Sequence, residues 1–245
     1  MGANPNEVVT ILLVNGVNAD AATLGEIFTN SGITQYSYTP TSQTAESWPT
    51  LGEMISANTR LVTFIAAIQS SSTAAPFLLN EWDYVWENNY QVVSSSNFTC
   101  APARPSAVAG SFSTAQSSGR MFLMNHFLYQ EQLFSIQSPD VENAGSTNSP
   151  DVNSVGALGY SANDCTNQYG SKPNYILVDW FNVGPAIDTV DRLNQVSDVT
   201  GRTTVTTANL KIEGDSSSSS GAGRLEKSVL AVLLGVAAAV SVGWM

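Results

Sequence analysis

The sequence predicts an α/β protein built on a parallel sheet with crossover helices. Three observations predict it: short runs of branched and aromatic residues with no polar interruption, stretches of helical spacing between them, and Gly, Pro or Asn turns at the joins. The clearest unit is Pro173 to Gly184. Tyr175, Ile176, Leu177 and Val178 form a strand suited to cover on both faces. A Gly184-Pro185 turn follows, and Ala186 to Val196 then places Ile187, Val190 and Leu193 at helical spacing. The alternation yields about five or six strands, whereas a closed barrel wants eight.

Taken in order, Val8 to Val14 reads as a buried strand. Ala21 to Phe28 reads as a helix with Leu24, Ile27 and Phe28 on one side, and Thr34 to Tyr38 as a short strand. A helix over Thr50 to Ala57 and a buried strand over Arg60 to Ala66 follow. From Phe77 to Val93 the aromatic density is too high for solvent, and the stretch reads as a packed loop or short helix leading to a strand around Gln91 to Ser94. Ser95 to Gly119 is rich in Ser, Ala and Pro and reads as irregular. Arg120 to Leu128 is a strand, Ser149-Pro150-Asp151 a helix start, and Val155 to Tyr160 carry that helix toward Cys165.

Composition narrows the function classes. The 245 residues carry 9 Lys+Arg against 20 Asp+Glu, a formal charge of -11. That excess argues against nucleic acid and against electrostatic docking on anionic lipid. Charged residues are 12% of the chain, while Ser, Thr and Asn abound, as in many secreted glycoproteins. Cys100 and Cys165 lie in polar, loop-like surroundings, either joined as one disulfide or present as two free thiols. Metal-ligand spacing is absent and His126 is the single histidine, so no metal and no cofactor are expected. Asn97-Phe98-Thr99 is an acceptor sequon for N-glycosylation.

The two ends point in different directions. The first residues show no basic region and no apolar run long enough for a signal peptide. At the other end, the polar tract Ser216 to Ser220 and a spacer to Ser228 lead into the apolar Val229 to Met245. Small residues, a spacer of roughly 8 to 12 residues and a tail of roughly 10 to 20 make up a glycosylphosphatidylinositol attachment signal, with cleavage near Ser218, Ser219 or Ser220. The other reading is a tail-anchored membrane helix, which usually takes about 20 apolar residues. The expected organisation is a body over 1–198, a Ser/Thr/Gly-rich stalk over 199–228 and a hydrophobic segment over 229–245. The expected location is the outer face of the plasma membrane or the cell wall.

Candidate site residues follow from position. In α/β barrels, polar residues at the carboxyl ends of strands lie on the face where chemistry is done. Asp179 holds that place after one strand and the pair Asn125-His126 after another. Asp179 is either such a group or the cap of the next turn. A lone histidine in an apolar run is more often a hydrogen-bonded core residue than a catalyst. Arg104, Glu81 and Asp83 lie in loops that could reach the same face or simply be solvated. Trp82, Tyr84, Trp86 and Tyr90 could stack on a ligand or pack in the core.

In order and spacing, NPNEVVTILLVN (4–15), RLVTFIA (60–66), NEWDYVWENNYQV (80–92), NFTCAPARP (97–105), MFLMNHFL (121–128) and KPNYILVDWFNVG (172–184) with VDRLN (190–194) resemble one family. They are similar to the carboxyl-terminal part of the fungal proteins related to phosphatidylinositol-specific phospholipase C. The resemblance covers residues 4 to about 196. It implies a distorted (β/α)8 barrel, here partial and lacking its first strands, with a phosphoinositide or other phosphodiester lipid as partner. It further implies phosphoric diester hydrolysis, in which one histidine is the general base and a second the general acid. Both belong to early strands upstream of the segment that 4–15 resembles, so the expectation is an inactive or truncated form. Asp179 matches an aspartate that orients the base, and His126 matches neither catalytic histidine. The alternative is a non-catalytic, anchored surface protein that binds a glycan or lipid headgroup.

Overall fold

A computed structural model describes residues 1–41, 48–66, 68–69, 73–132, 134, 136–205, 237–238 and 240–241. Two mixed sheets and a small hairpin form an α/β body. The first sheet is built from β1 (Val9–Val14), β2 (Leu61–Ala66) and β3 (Leu78–Asn80), all parallel. The second places β9 (Tyr175–Leu177), β6 (Met121–Asn125) and β4 (Val85–Asn88) parallel to one another, with β5 (Pro102–Arg104) antiparallel on β4. β7 (Tyr129–Glu131) and β8 (Gln137–Pro139) make the hairpin. Near the carboxyl terminus, β10 (Ala237–Ala238) runs antiparallel to β1 and β11 (Val240–Ser241) antiparallel to β9. These two short strands lie inside the segment read above as an anchor signal. No closed barrel forms among the described residues.

The helices begin where side chains can satisfy free amides. Asp20 caps α1 (Ala21–Asn30) by accepting from Thr23 N at 2.7 Å. Thr50 and Glu53 form a reciprocal capping box for α2 (Leu51–Ser56), with Thr50 N donating to Glu53 at 2.7 Å. α3 (Glu81–Tyr84) is a single turn that joins β3 to β4. α4 (Phe112–Ser117), α5 (Ala144–Thr147), α6 (Leu158–Tyr169) and α7 (Ala186–Asn194) complete the set. α6 runs so close to the Pro150 carbonyl that a Cβ at Gly159 would lie 2.0 Å from it, which only glycine permits.

Strands β2, β4 and β6 are buried nearly throughout, because apolar side chains cover both of their faces. Trp86 of β4 stacks on Phe122 of β6 with centroids 4.0 Å apart, and Tyr169 of α6 closes the stack edge-on. A second cluster gathers Phe64, Leu79, Tyr84, Leu123 and Tyr175 where the two sheets meet. The Cys100–Cys165 disulfide forms, tying the loop after β4 to α6.

Several expectations are corrected. Residues 33–36 form a one-turn 3-10 helix in place of a strand, and only Ser37 bridges to Leu61. The strand of that region lies at 85–88, not 91–94, because Trp86 must reach the core to stack on Phe122. The stretch 95–119 is not irregular throughout: it holds β5 and α4. Ser149-Pro150-Asp151 makes a turn, with Asp151 accepting from Asn153 N, and α6 starts only at Leu158. β1 is half-buried, and Ile27 of α1 faces solvent while Leu24 and Phe28 pack inward. The stalk beyond residue 205 and the cleavage positions Ser218, Ser219 and Ser220 lie outside the described residues.

Candidate functional site

The carboxyl ends of β3, β4, β6 and β9 deliver polar groups to one mouth. Glu81 follows β3, Glu87 and Asn88 close β4, Asn125 closes β6, and Asp179 follows β9. Arg104 arrives from the antiparallel strand β5, whose register sets it directly opposite Glu87. Its Nε forms an ion pair with Glu87 Oε1. The guanidinium lies over two rings, 4.1 Å from the centroid of Tyr90 and 5.0 Å from that of Trp82. Held from behind by a carboxylate and flanked by aromatic faces, it keeps few rotamers while its side chain stays 42% exposed. It is a fixed, outward-facing cation.

Behind Arg104 the network is tight. Glu87 Oε2 accepts from Asn125 Nδ2 at 2.8 Å. Asn125 N donates to Asn88 Oδ1 at 2.6 Å, and Asn88 Nδ2 donates to the Asn125 carbonyl at 3.2 Å and the Thr99 carbonyl at 2.8 Å. The two asparagines thereby lock the ends of β4 and β6. Glu81 is 2% exposed, and its Oε1 has no hydrogen-bond partner among the described residues. Burial first, and then the charge of Glu87, push the Glu81 carboxyl up to about 8, against the pull of Arg104. Burial also raises Glu87, opposed by Asn125 and Arg104. At neutral pH Glu81 therefore holds a proton, leaving Glu87 as the counter-ion of Arg104.

Burial first, and then the charges of Asp179 and Tyr90, raise the Tyr129 phenol of β7 against the pull of Arg104. Asp179 itself is raised by burial. Asn148 Nδ2 positions the loop that carries it, donating to the carbonyls of Asp179 and Val183 at 2.8 Å and of Trp180 at 3.2 Å.

His126 stands apart. It is fully buried, stacked on Phe98 with centroids 4.0 Å apart, and its Nε2 lies 3.1 Å from the Thr147 carbonyl, to which it donates. Burial lowers its pKa to about 4, so the ring is neutral at pH 7. No hydrogen bond or ion pair joins it to Asp179 among the described residues. Of the residues singled out in the sequence, Arg104, Glu81, Trp82, Tyr90, Asn125 and Asp179 gather at the mouth, while Tyr84 and Trp86 are core. Asp83 has a buried Oδ2 without a hydrogen-bond partner among the described residues. The sequence reading missed Glu87, although a carboxylate inside the apolar run YVWEN signals a waiting cation. It missed Asn88, Tyr129 and Asn148, which are ordinary polar residues until the strands bring them together. Among the described residues no group of His, Cys, Asp and Glu could hold a metal ion.

The family model for the PI-PLC X domain (PI-PLC X 1) matches residues 1–194. The chain belongs to the PI-PLC X domain family. A PI-PLC X domain-containing protein 1 of Arthroderma benhamiae is 31% identical over 196 residues, covering 79% of this chain and 61% of that protein. An uncharacterized secreted protein of the same fungus is 30% identical over 186 residues, covering 74% and 40%. A PI-PLC X domain-containing protein of Arabidopsis thaliana is 30% identical over 132 residues, covering 52% and 28%. The chain thus spans 61% and 40% of the lengths of its two fungal relatives. No solved structure matches it.

Proposed function

We propose that the chain binds the polar headgroup of a phosphodiester lipid at the mouth around Arg104, and that by itself it does not turn the lipid over. The observation that carries this reading is the fixed guanidinium between Trp82 and Tyr90, set against the Glu87 carboxylate. A neutralised, aromatic-flanked arginine can share hydrogen bonds with the hydroxyls of a polyol ring or with a phosphate oxygen. The protonated Glu81 lies buried behind it and leaves Glu87 as its counter-ion, so the guanidinium is balanced by one carboxylate. Turnover is a different matter. Attack of a neighbouring hydroxyl on phosphorus needs one group to accept and another to donate a proton near neutral pH. The chain supplies one imidazole, and it is fully buried under Phe98 with its Nε2 on the Thr147 carbonyl.

In the same reading, the two sheets are arcs of one distorted barrel whose carboxyl ends share this mouth. Asn97 is exposed beside the disulfide-bonded loop and carries an N-linked glycan, in keeping with a location on the cell surface or in the wall. The terminal segment 229–245 with Ser218 to Ser220 remains the candidate anchor signal. Among the described residues no helix is long and apolar enough to cross a membrane.

Calorimetry with myo-inositol 1-phosphate tests the headgroup reading. Binding to the full chain that Arg104→Ala weakens by about tenfold or more, near 1.4 kcal/mol, is the expected result. Release of inositol phosphate from phosphatidylinositol vesicles, abolished by Asp179→Asn, would overturn the absence of turnover.

A further inference from the structure

A cavity of about 410 Å³ opens beside the mouth, within the ~300–1,000 Å³ usual for small-ligand sites. Its walls come from 93–95 after β4, from Leu128 just before β7, and from the stretch 140–157. Hydroxyl residues dominate the lining: Ser94, Ser95, Ser146, Thr147, Ser149 and Ser154. Asn143 adds an amide and Asp140 a carboxylate, and among the described residues no basic side chain lines it. Exposed Val93 and Val155 supply apolar surface at its edge.

The direction of the hydrogen bonds selects the ligand. Ser146 Oγ donates to the Asn143 carbonyl at 2.9 Å, and Ser154 Oγ donates to Asp151 Oδ2 at 2.5 Å. Asn143 Nδ2 donates to Asp140 Oδ2 at 2.7 Å. Ser146 and Ser154 Oγ thereby keep lone pairs for a ligand, while Asn143 Nδ2 keeps a second N–H and Ser149 Oγ, which accepts from Asp151 N at 3.2 Å, keeps its proton, so the lining suits a ligand whose groups both donate and accept. A phosphate, which only accepts, meets the Asp140 carboxylate and no cation there. A neutral sugar matches the lining: its hydroxyls donate, and its C–H faces lie on valine.

The walls are set before any ligand arrives. A Cβ at Gly156 would sit 2.5 Å from Ser95 Cβ, so the two loops touch, and the disulfide fastens the first of them to α6. The cavity also adjoins the mouth through one residue step. Leu128 and Val93 line the cavity, and Tyr129 N, one residue on, donates to the Val92 carbonyl at 2.8 Å, two residues from Tyr90 of the mouth.

We propose that this cavity is a subsite for neutral sugar residues, so that the headgroup selected is a polyol phosphate bearing a sugar substituent. The coupling of the two sites rests on the headgroup reading above; the sugar affinity of the cavity does not. Saturation-transfer NMR on the full chain tests both, with methyl α-D-mannopyranoside and methyl β-D-glucopyranoside as sugar probes and myo-inositol 1-phosphate as the mouth probe. Saturation transfer to at least one sugar, lost in Ser146→Phe and kept in Arg104→Ala, is the expected result. The mouth probe should show the reverse pattern, and inorganic phosphate should not displace the sugar. A mannosylated inositol phosphate should then bind at least about tenfold tighter than the unsubstituted one, from local concentration alone. Binding of the mouth probe with no transfer to either sugar would overturn the subsite and leave the mouth standing. Sugar transfer insensitive to Ser146→Phe would overturn it as well. Sugar binding without mouth-probe binding would uphold the subsite and sink the headgroup reading.

Discussion

Two buried titratable side chains sit just past the carboxyl ends of strands, Glu81 after β3 of the first sheet and His126 after β6 of the second, and they have opposite fates. Glu81 lies beside Glu87 and Arg104 with an oxygen that nothing fills, and its proton is retained at pH 7. His126 lies under Phe98 with its Nε2 on the Thr147 carbonyl, and it is kept neutral by losing its proton affinity. Position on the catalytic face of an α/β fold is therefore not enough to make a site. Each keeps one ring or carboxyl atom without a hydrogen-bond partner among the described residues, so what separates the two is the fixed charge: Glu81 lies beside Arg104 and Glu87, whereas His126 is capped by the Phe98 ring.

The largest expected effect breaks the His126 side. Its cover, Phe98, is held in place by the loop that Cys100 fastens to α6. Replacing both cysteines by serine frees that loop and should cost about 2–5 kcal/mol of stability, measured by urea unfolding. Arg104 is carried by β5 and Glu87 by β4, so binding of myo-inositol 1-phosphate in the double variant should fall less than stability does. Equal losses in both would show that the two regions are not separable.

The next effect is in pH, and the signs oppose. Glu81 has a folded pKa near 8 against an ordinary 4.5, so its contribution to stability is full below about 4.5 and is lost as pH rises through 8. His126 has a folded pKa near 4 against an ordinary 6.5. Its contribution is full above about 6.5 and is lost as pH falls through 4. Between the two ordinary values the slopes cancel, which leaves a plateau with a decline on either side. Glu81→Gln should flatten the alkaline decline, whose limit is about 1.4 kcal/mol per pH unit for one proton, and His126→Leu the acid decline. Thermal unfolding of the three proteins from pH 4 to 9 checks it. An alkaline decline that survives Glu81→Gln would refute the protonated glutamate.

The two regions also differ in how far they could be read from sequence. The strands β2, β6 and β9 were legible because parallel strands buried on both faces read as unbroken apolar runs. The disulfide partners were legible because only two cysteines exist. Asp179 and Asn125 were found by place, at the ends of such strands. The pairing of Arg104 with Glu87 was not, because it depends on an antiparallel strand inside a Ser- and Pro-rich stretch that has no periodicity. The region 77–93 misled for a related reason: a strand, one helical turn and a second strand follow one another with no turn residues between them. The cavity was invisible, since serines from two separate segments look like solvent-facing loop until the chain brings them together.

The smallest expected effect asks how much of the mouth is orientation and how much is charge. Tyr90 and Trp82 touch Arg104 through their faces, a contact worth about 0.5–1 kcal/mol at exposed sites. Tyr90→Leu and Trp82→Leu keep apolar bulk while removing the ring quadrupole. Each should weaken binding of myo-inositol 1-phosphate by about two- to fivefold through added guanidinium freedom, with thermal stability nearly unchanged. Tyr90 carries the shorter contact, 4.1 Å against 5.0 Å, and so should show the larger loss. Arg104→Lys separates the alternatives, because an ammonium keeps the charge but cannot present the planar fork to a ring hydroxyl pair. If Arg104→Lys binds as well as the native chain while the ring variants lose affinity, the mouth works through charge placement. If all three fall together, the fixed plane of the guanidinium is what the headgroup reads.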